Sequence, residues 1–278
     1  PPSSSGSDSV GAANRKLRIL VAEDNRVNQL LITSLLNKWG HEACVAENGA
    51  SAVELFSSSQ WDFVLMDMQM PTMGGIEATE LIREYERVER APRTPILAVT
   101  ANARPEDRQA CLDAGMDEFL TKPLDPELLL RIIKDRMPES RAIAREPSSA
   151  NSAPINNPSP EIDQAPHLDL KKLNDCVDHD ETIVRELLDV FMKSLMGIPT
   201  RLDDAINQRD KNQLMKIVHE VKGGASGVFA VKLASIATHA ETAFRSDSVD
   251  WGQAESIVAL MKSEMEQLDK TFPGGREI

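Results

Sequence analysis

Five short apolar runs, each parted from the next by residues at helical spacing, restrict the first half of this chain to one kind of architecture. The runs lie at 17–22, 43–46, 63–66, 95–99 and 118–121. Between them Val27, Leu30, Leu31, Leu35 and Leu36 form one helical stripe, and Ala52, Val53 and Phe56 a second. Ile76, Ala78, Leu81 and Ile82 form a third, and Ala110 with Leu112 marks a fourth. A brief run without polar alternation is what a strand buried on both faces looks like. Asp125 followed by Pro126 is an N-cap with a first-turn proline, opening a last helix through Ile133. Five βα units in succession imply α/β: a doubly wound (βα)5 parallel sheet over 16–136, with helices on both faces.

The rest of the chain changes character. Residues 1–15 are Ser/Gly-rich and read as a disordered linker. Residues 137–167 carry Pro138, Pro147, Pro154, Pro158, Pro160 and Pro166 among Ser and Asn, the composition of a flexible linker. Beyond it no strand pattern returns. Apolar stripes at Ile183–Phe191, Leu214–Val221, Leu233–Phe244 and Ile257–Leu268, Leu260 among the last, imply an antiparallel bundle of about four main helices over 168–272. Residues 273–278 form a tail.

Net charge is −13, and neither half has the basic excess of a nucleic-acid binder, so no nucleic acid is expected as a partner. Cys44, Cys111 and Cys176 stand apart, without metal-ligand spacing, and read as reduced core thiols of a cytoplasmic protein. No apolar run reaches the roughly 18 residues of a membrane span. The start, Pro-Pro-Ser rather than Met, suggests a piece of a longer protein.

Chemistry collects where the apolar runs end. Glu23-Asp24 follows the first, Asp67 closes the third, Thr100 follows the fourth and Lys122-Pro123 follows the fifth. In a parallel sheet these ends converge at the carboxyl edge, where ligands bind. Singly, each has a plainer reading: a helix N-cap for Glu23-Asp24, a turn residue for Asp67, a solvated lysine at a cis-proline turn for Lys122. Together they make an acidic cluster suited to a hard divalent cation, with one ammonium opposite.

In order and spacing, Leu20-Val21-Ala22-Glu23-Asp24-Asn25, Met66-Asp67-Met68-Gln69-Met70-Pro71, Ala98-Val99-Thr100-Ala101 and Thr121-Lys122-Pro123 resemble the motifs of response-regulator receiver domains, which have a flavodoxin-like fold. The resemblance implies Mg2+ bound by Glu23, Asp24, Asp67 and the backbone carbonyl of Gln69. It makes Asp67 the nucleophile that forms an acyl phosphate. Lys122 would neutralise charge on the transferred group, and Thr100 would hydrogen-bond it, with Ala101 leaving access. Phe119 falls at the family's switch aromatic, or is simply a core side chain. Gln69 and Asn102 occupy positions that tune acyl-phosphate lifetime in relatives. Val27, at the start of the first helix, is either an exposed docking residue or core.

His219 lies roughly 150° from the centre of its helix's apolar stripe, which places it toward solvent, with Lys222 and Gly223 on the same exposed face. A surface histidine near a helix end is the plainer reading. His219-Glu220-Val221-Lys222-Gly223 resembles the HxxKG core of histidine-containing phosphotransfer (HPt) domains. Departures are Gly224, where relatives have Ser or Ala, and Phe229, near a usual Gly; they leave the local helix end open. His41, His167, His179 and His239 are expected to be structural.

The two resemblances together describe a phosphorelay module from the C-terminal part of a hybrid histidine kinase, with no ATP-binding segment of its own. Its implied partners are an upstream histidine kinase domain that presents phosphohistidine, and a downstream response-regulator receiver. An intramolecular receiver–HPt contact is also implied. A coil of about 28 residues spans roughly 30 Å root-mean-square, and a tether of that length gives a millimolar-scale effective concentration. The segment would be cytoplasmic, its parent anchored at the inner membrane or not. Two other classes compete. One is a phosphorylation-controlled interaction module with His219 silent; the other is an Asp-nucleophile phosphatase, which would need a second Asp where Gln69 stands.

Overall fold

A computed structural model describes residues 15–100, 105–135, 166–246 and 248–272. The expected linkers at 1–15 and 137–167 fall almost wholly outside these residues, as do Ala101, Asn102, Ala103 and the tail.

The first half alternates strand and helix throughout: β1 (Arg18–Ala22), α1 (Arg26–Lys38), β2 (Glu42–Ala46), α2 (Gly49–Ser58) and β3 (Phe63–Asp67) come first. They are followed by α3 (Gly75–Glu89), β4 (Ile96–Thr100), α4 (Pro105–Asp113), β5 (Glu118–Thr121) and α5 (Pro126–Asp135). The strands form one parallel sheet in the order β2-β1-β3-β4-β5. Every residue of β3 and β4 is buried, which explains why both read as unbroken apolar runs. The order reverses between β1 and β3, so the crevice of the sheet opens where Glu23, Asp24 and Asp67 stand.

Two stripe residues of this half do not pack as expected. Leu112 is exposed, and α4 buries Cys111 instead, with Ala114 just beyond it; Leu81 on α3 is exposed as well. All three cysteines are unpaired; Cys44 is only half-buried.

The second half is helical: α6 (Leu170–Cys176), α7 (Glu181–Leu195), α8 (Ile198–Asn207), α9 (Lys211–Gly227), α10 (Val231–Phe244) and α11 (Trp251–Thr271). The four expected stripes correspond to α7, α9, α10 and α11; α6 and α8 are additional. Leu260 on α11 is exposed, its place on the buried face taken by Met261 and Glu264. Asp180, Asp210 and Asp250 cap α7, α9 and α11, each accepting from backbone N–H groups of the first turn. At the other end of α9, Ala230 N–H reaches Ala225 O at 2.8 Å and Phe229 takes φ 58. That is a Schellman-type ending with a phenylalanine in the left-handed position that glycine usually fills, and it settles the helix end that the sequence left open.

The two halves pack together through α1, which lies against α7 and α9. One continuous set of buried apolar side chains runs from Leu17, Leu31 and Leu35 to Phe191, Leu214 and Leu268. At one end of α1, Asn25 Nδ2 donates to the Glu220 carbonyl at 3.2 Å. At the other, Lys38 Nζ donates to the Val177 carbonyl at 2.9 Å and pairs with Asp178 at 3.1 Å.

Candidate functional site

β1 and β3 are hydrogen-bonded neighbours, so the acids that follow or close them meet. One oxygen from each of Glu23, Asp24 and Asp67 lies within 4.8 Å of the other two. Lys122, just past β5, places Nζ 2.7 Å from Glu23 Oε2 and 2.7 Å from Asp67 Oδ2. It is a half-buried, doubly paired lysine rather than the solvated one of the plainer reading, although the Lys122–Pro123 bond is cis. Gly75 lets α3 approach the strand end: a Cβ there would overlap the Asp67 carbonyl oxygen.

Electrostatics mark the same spot. Burial raises the Glu23 carboxyl to about 7, with Lys122 opposing the rise and Asp67 adding to it. Asp24 is raised by burial and by Asp67, and its rise is opposed by Lys122 and His219. Burial opposes the charge on Lys122, yet Glu23 and Asp67 lift it above the ordinary lysine range. Three carboxyl groups face one ammonium, a deficit of positive charge that suits a hard divalent cation with oxygen ligands. The donor set fits Mg2+.

The other sequence candidates sit around this crevice. Thr100 ends β4 and is buried. Gln69 donates its backbone N–H to Asp67 Oδ1 at 3.1 Å. Phe119 is half-buried, with the Arg108 guanidinium 4.9 Å from its ring centroid. Asn28, unremarked in the sequence, donates Nδ2 to Glu23 Oε1 at 2.9 Å.

Across α1 from these acids, His219 is half-buried rather than turned to solvent. Its Nδ1 lies 2.9 Å from Glu241 Oε1 on α10, and Lys222 Nζ donates to Glu241 Oε2 at 2.7 Å. Lys222 is therefore not on an exposed face: it is 7 % exposed, and its ammonium is tied to Glu241. Burial opposes the charge on Glu241, but hydrogen bonds from His219 and Lys222 hold its carboxyl at about 2. An ionised carboxylate only accepts, so His219 carries its proton on Nδ1 and presents Nε2. The same hydrogen bond raises the imidazole above its ordinary value against the effect of burial.

Glu241 was missed in the sequence. It stands four residues after Ala237 on the buried side of α10, and an acid in an apolar stripe signals a buried partner. Of the other histidines, His167 pairs with Glu264 at 2.5 Å, His179 lies 3.5 Å from Asp175, His41 is buried and His239 is exposed.

Both halves line one cavity of about 350 Å3. Glu23, Asp24, Asp67, Gln69 and Lys122 form one wall; His219, Lys222 and Gly223 form the other. Val27 is fully buried beside α9, its Cγ1 3.2 Å from where a Cβ at Gly227 would stand.

Residues 19–134 match the response regulator receiver domain, and residues 186–271 match the Hpt domain. The chain is a receiver domain followed by an Hpt domain. Among similar proteins, hybrid signal transduction histidine kinase I of Dictyostelium discoideum is 40% identical over 140 residues, 49% of this chain and 8% of that protein. The aerobic respiration control sensor protein ArcB of Escherichia coli is 32% identical over 217 residues, 76% of this chain and 26% of that protein. The receiver–Hpt chain thus spans about a quarter of the length of ArcB or less of its longer relative. A solved structure, the receiver domain of sensor histidine kinase PA1611 from Pseudomonas aeruginosa with magnesium in its active-site cleft, is 38% identical. It covers 43% of this chain and 96% of its own, with a TM-score of 0.39. Receiver plus Hpt is the composition of a phosphorelay module. Among the described residues, no helix is long and apolar enough to cross a membrane.

Proposed function

We propose that Asp67 accepts a phosphoryl group from a phosphohistidine on an upstream kinase domain and passes it to His219 of the same chain. His219 then delivers it to a separate downstream receiver. The observation that carries this reading is the shared cavity, which sets Asp67, flanked by Lys122, opposite an imidazole whose Nδ1 is already engaged.

In the first step an Asp67 carboxylate oxygen attacks phosphorus, a P–O bond forms and the P–N bond to the donor histidine breaks. In the second, the His219 Nε2 lone pair attacks phosphorus and the acyl P–O bond breaks, which restores the Asp67 carboxylate. Glu241 keeps the proton on Nδ1 and balances the positive charge that the ring gains. Lys122 stabilises the phosphoryl oxygens beside Asp67. Glu23, Asp24 and Asp67, with the Gln69 carbonyl, would hold Mg2+, which when bound offsets charge on those oxygens. Thr100 serves as the hydrogen-bond donor to the transferred group, and Phe119 as the side chain that responds to it. The parent protein is a hybrid histidine kinase whose ATP-dependent step lies in another segment. Receiver 16–136 and Hpt 168–272 are its relay units.

The test is to load the chain with acetyl phosphate and Mg2+, then map phosphate at neutral pH by peptide mass spectrometry. Label is expected on Asp67 and His219, and Asp67→Asn should abolish both. Label on His219 in the D67N chain would remove Asp67 from the route.

A further inference from the structure

Gly227 closes α9 with no backbone reason to be glycine. Its φ is not among the positive values, and the left-handed position of this helix end belongs to Phe229. Nor is the helical bundle what limits its size. The three atoms nearest to a Cβ placed there all belong to the receiver: Asn28 Oδ1, which it would overlap, Val27 Cγ1 at 3.2 Å and Asn28 Cγ at 3.6 Å. Gly223, four residues earlier, is less demanding, since its nearest atom is Asn25 Nδ2 at 3.4 Å, an ordinary contact.

The Asn28 carboxamide cannot turn aside cheaply. It is 6 % exposed, and its Nδ2 donates to Glu23 Oε1 at 2.9 Å. Rotating it away from position 227 breaks that bond. Flipping it sets an amide oxygen against a carboxylate. Anything larger than glycine at 227 therefore either lifts α1 off α9 or disturbs Glu23, one of the three acids of the crevice. Two further contacts show what is lifted: Asn25 Nδ2 on the Glu220 carbonyl, one residue from His219, and Lys38 on Val177 and Asp178.

We propose that the Gly227–Asn28 contact is a specificity determinant by which the Hpt helix accepts the receiver of its own chain. Glycine at 227 makes room for an α1 that carries a carboxamide at position 28, and the fit sets the distance across which Asp67 and His219 exchange phosphate. The docking part rests on the contact alone; its effect on transfer rests on the relay function proposed above.

The experiment uses the full chain with Gly227→Ala, Asn28→Ala and the double substitution. It has two independent readouts: amide hydrogen exchange across 26–38, and single-turnover transfer from acetyl-phosphate-loaded Asp67 to His219. Because α1 and α9 share one buried apolar set, any drop in the thermal midpoint of G227A should disappear in the N28A background. Exchange across α1 should speed up several-fold, roughly threefold or more, as α1 is uncovered. Transfer should fall by about tenfold to a hundredfold, the effect of misplacing reacting groups by about 1 Å. In the N28A background, where the overlapping carboxamide is gone, the same G227A change should have little effect on either readout. Wild-type exchange and wild-type transfer in G227A would overturn the proposal. So would a thermal midpoint that G227A lowers equally in the N28A background, which would show that the glycine serves the bundle. If G227A uncovers α1 while even the wild-type chain moves no label, the docking determinant stands and the relay reading fails.

Discussion

Glu241 and His219 form a pair in which one carboxylate oxygen fixes Nδ1 at 2.9 Å, while the other is held by Lys222 at 2.7 Å. The pair determines which ring nitrogen is free and how basic it is. Replacing Glu241 by Gln keeps an acceptor for Nδ1–H but removes the charge that favours a cationic ring. Transfer to His219 should fall about tenfold or more, in line with the loss of an outer partner that orients a reactive group. Glu241→Ala should do more, because it leaves the buried Lys222 ammonium unpaired, at a stability loss on the order of 3 kcal/mol. Denaturant unfolding of both variants beside transfer kinetics separates the two effects.

The pH dependence follows from the same contact. The folded-state value of His219 is raised, so its contribution to stability is full below 6.5 and is lost as pH rises through the folded value. Glu241 is depressed to about 2 from 4.5, so its contribution is present above 4.5 and lost as pH falls toward 2. The attacking nitrogen must be neutral. Transfer should therefore rise with pH, with a midpoint above 6.5, and E241Q should move that midpoint down. A pH–rate profile of both chains checks this. An unshifted midpoint would sever Glu241 from the basicity of His219.

Glu23 points to a linkage with metal. Its carboxyl is raised to about 7 by burial, an effect only partly offset by Lys122. Without a cation, stability from this group is full below 4.5 and is lost as pH climbs through about 7. Mg2+ should relieve that loss. Saturating Mg2+, at about a hundredfold over its Kd, should add about 2.7 kcal/mol to the receiver's stability. The added stability should be larger at about pH 8 than at about pH 5.5, where protons compete for the acids. Thermal unfolding with Mg2+ or with EDTA at each pH measures it.

At the far end of α1, Lys38 pairs with an exposed Asp178. Rim pairs of this kind contribute about 0.2 to 1 kcal/mol. Lys38→Ala should therefore raise amide exchange across 26–38 much less than G227A does. An equal effect would move the determinant of docking away from Gly227 and toward the charged rim.

What the sequence disclosed follows from how far each feature depends on distant neighbours. Parallel strands buried on both faces read as bare apolar runs, and the polar residues that end them were visible as punctuation. Glu23, Asp24, Asp67 and Lys122 could be placed at one edge on that ground. Helix surfaces were harder. Leu81, Leu112 and Leu260 sit beside apolar stripes yet face out, because burial on α3, α4 and α11 is decided by what packs there. The short α6 and α8 span two or three turns, too brief for a stripe to stand out. Lys222 looked solvent-facing beside His219 because its partner, Glu241, arrives from another helix. Gly227 gave no signal at all, since its reason is a carboxamide 199 positions earlier in the chain, Asn28.

The most direct test of the central claim is the concentration dependence of transfer from Asp67 to His219. Chains loaded with labelled acetyl phosphate, freed of donor and diluted stepwise, should lose acyl phosphate and gain base-stable phosphohistidine at one first-order rate across all dilutions. A mixture of His219→Gln and Asp67→Asn chains should show transfer only slowly, and in proportion to concentration. If the wild-type rate instead scales with protein concentration and the mixture keeps pace with it, the docked receiver and Hpt halves are not the exchanging pair.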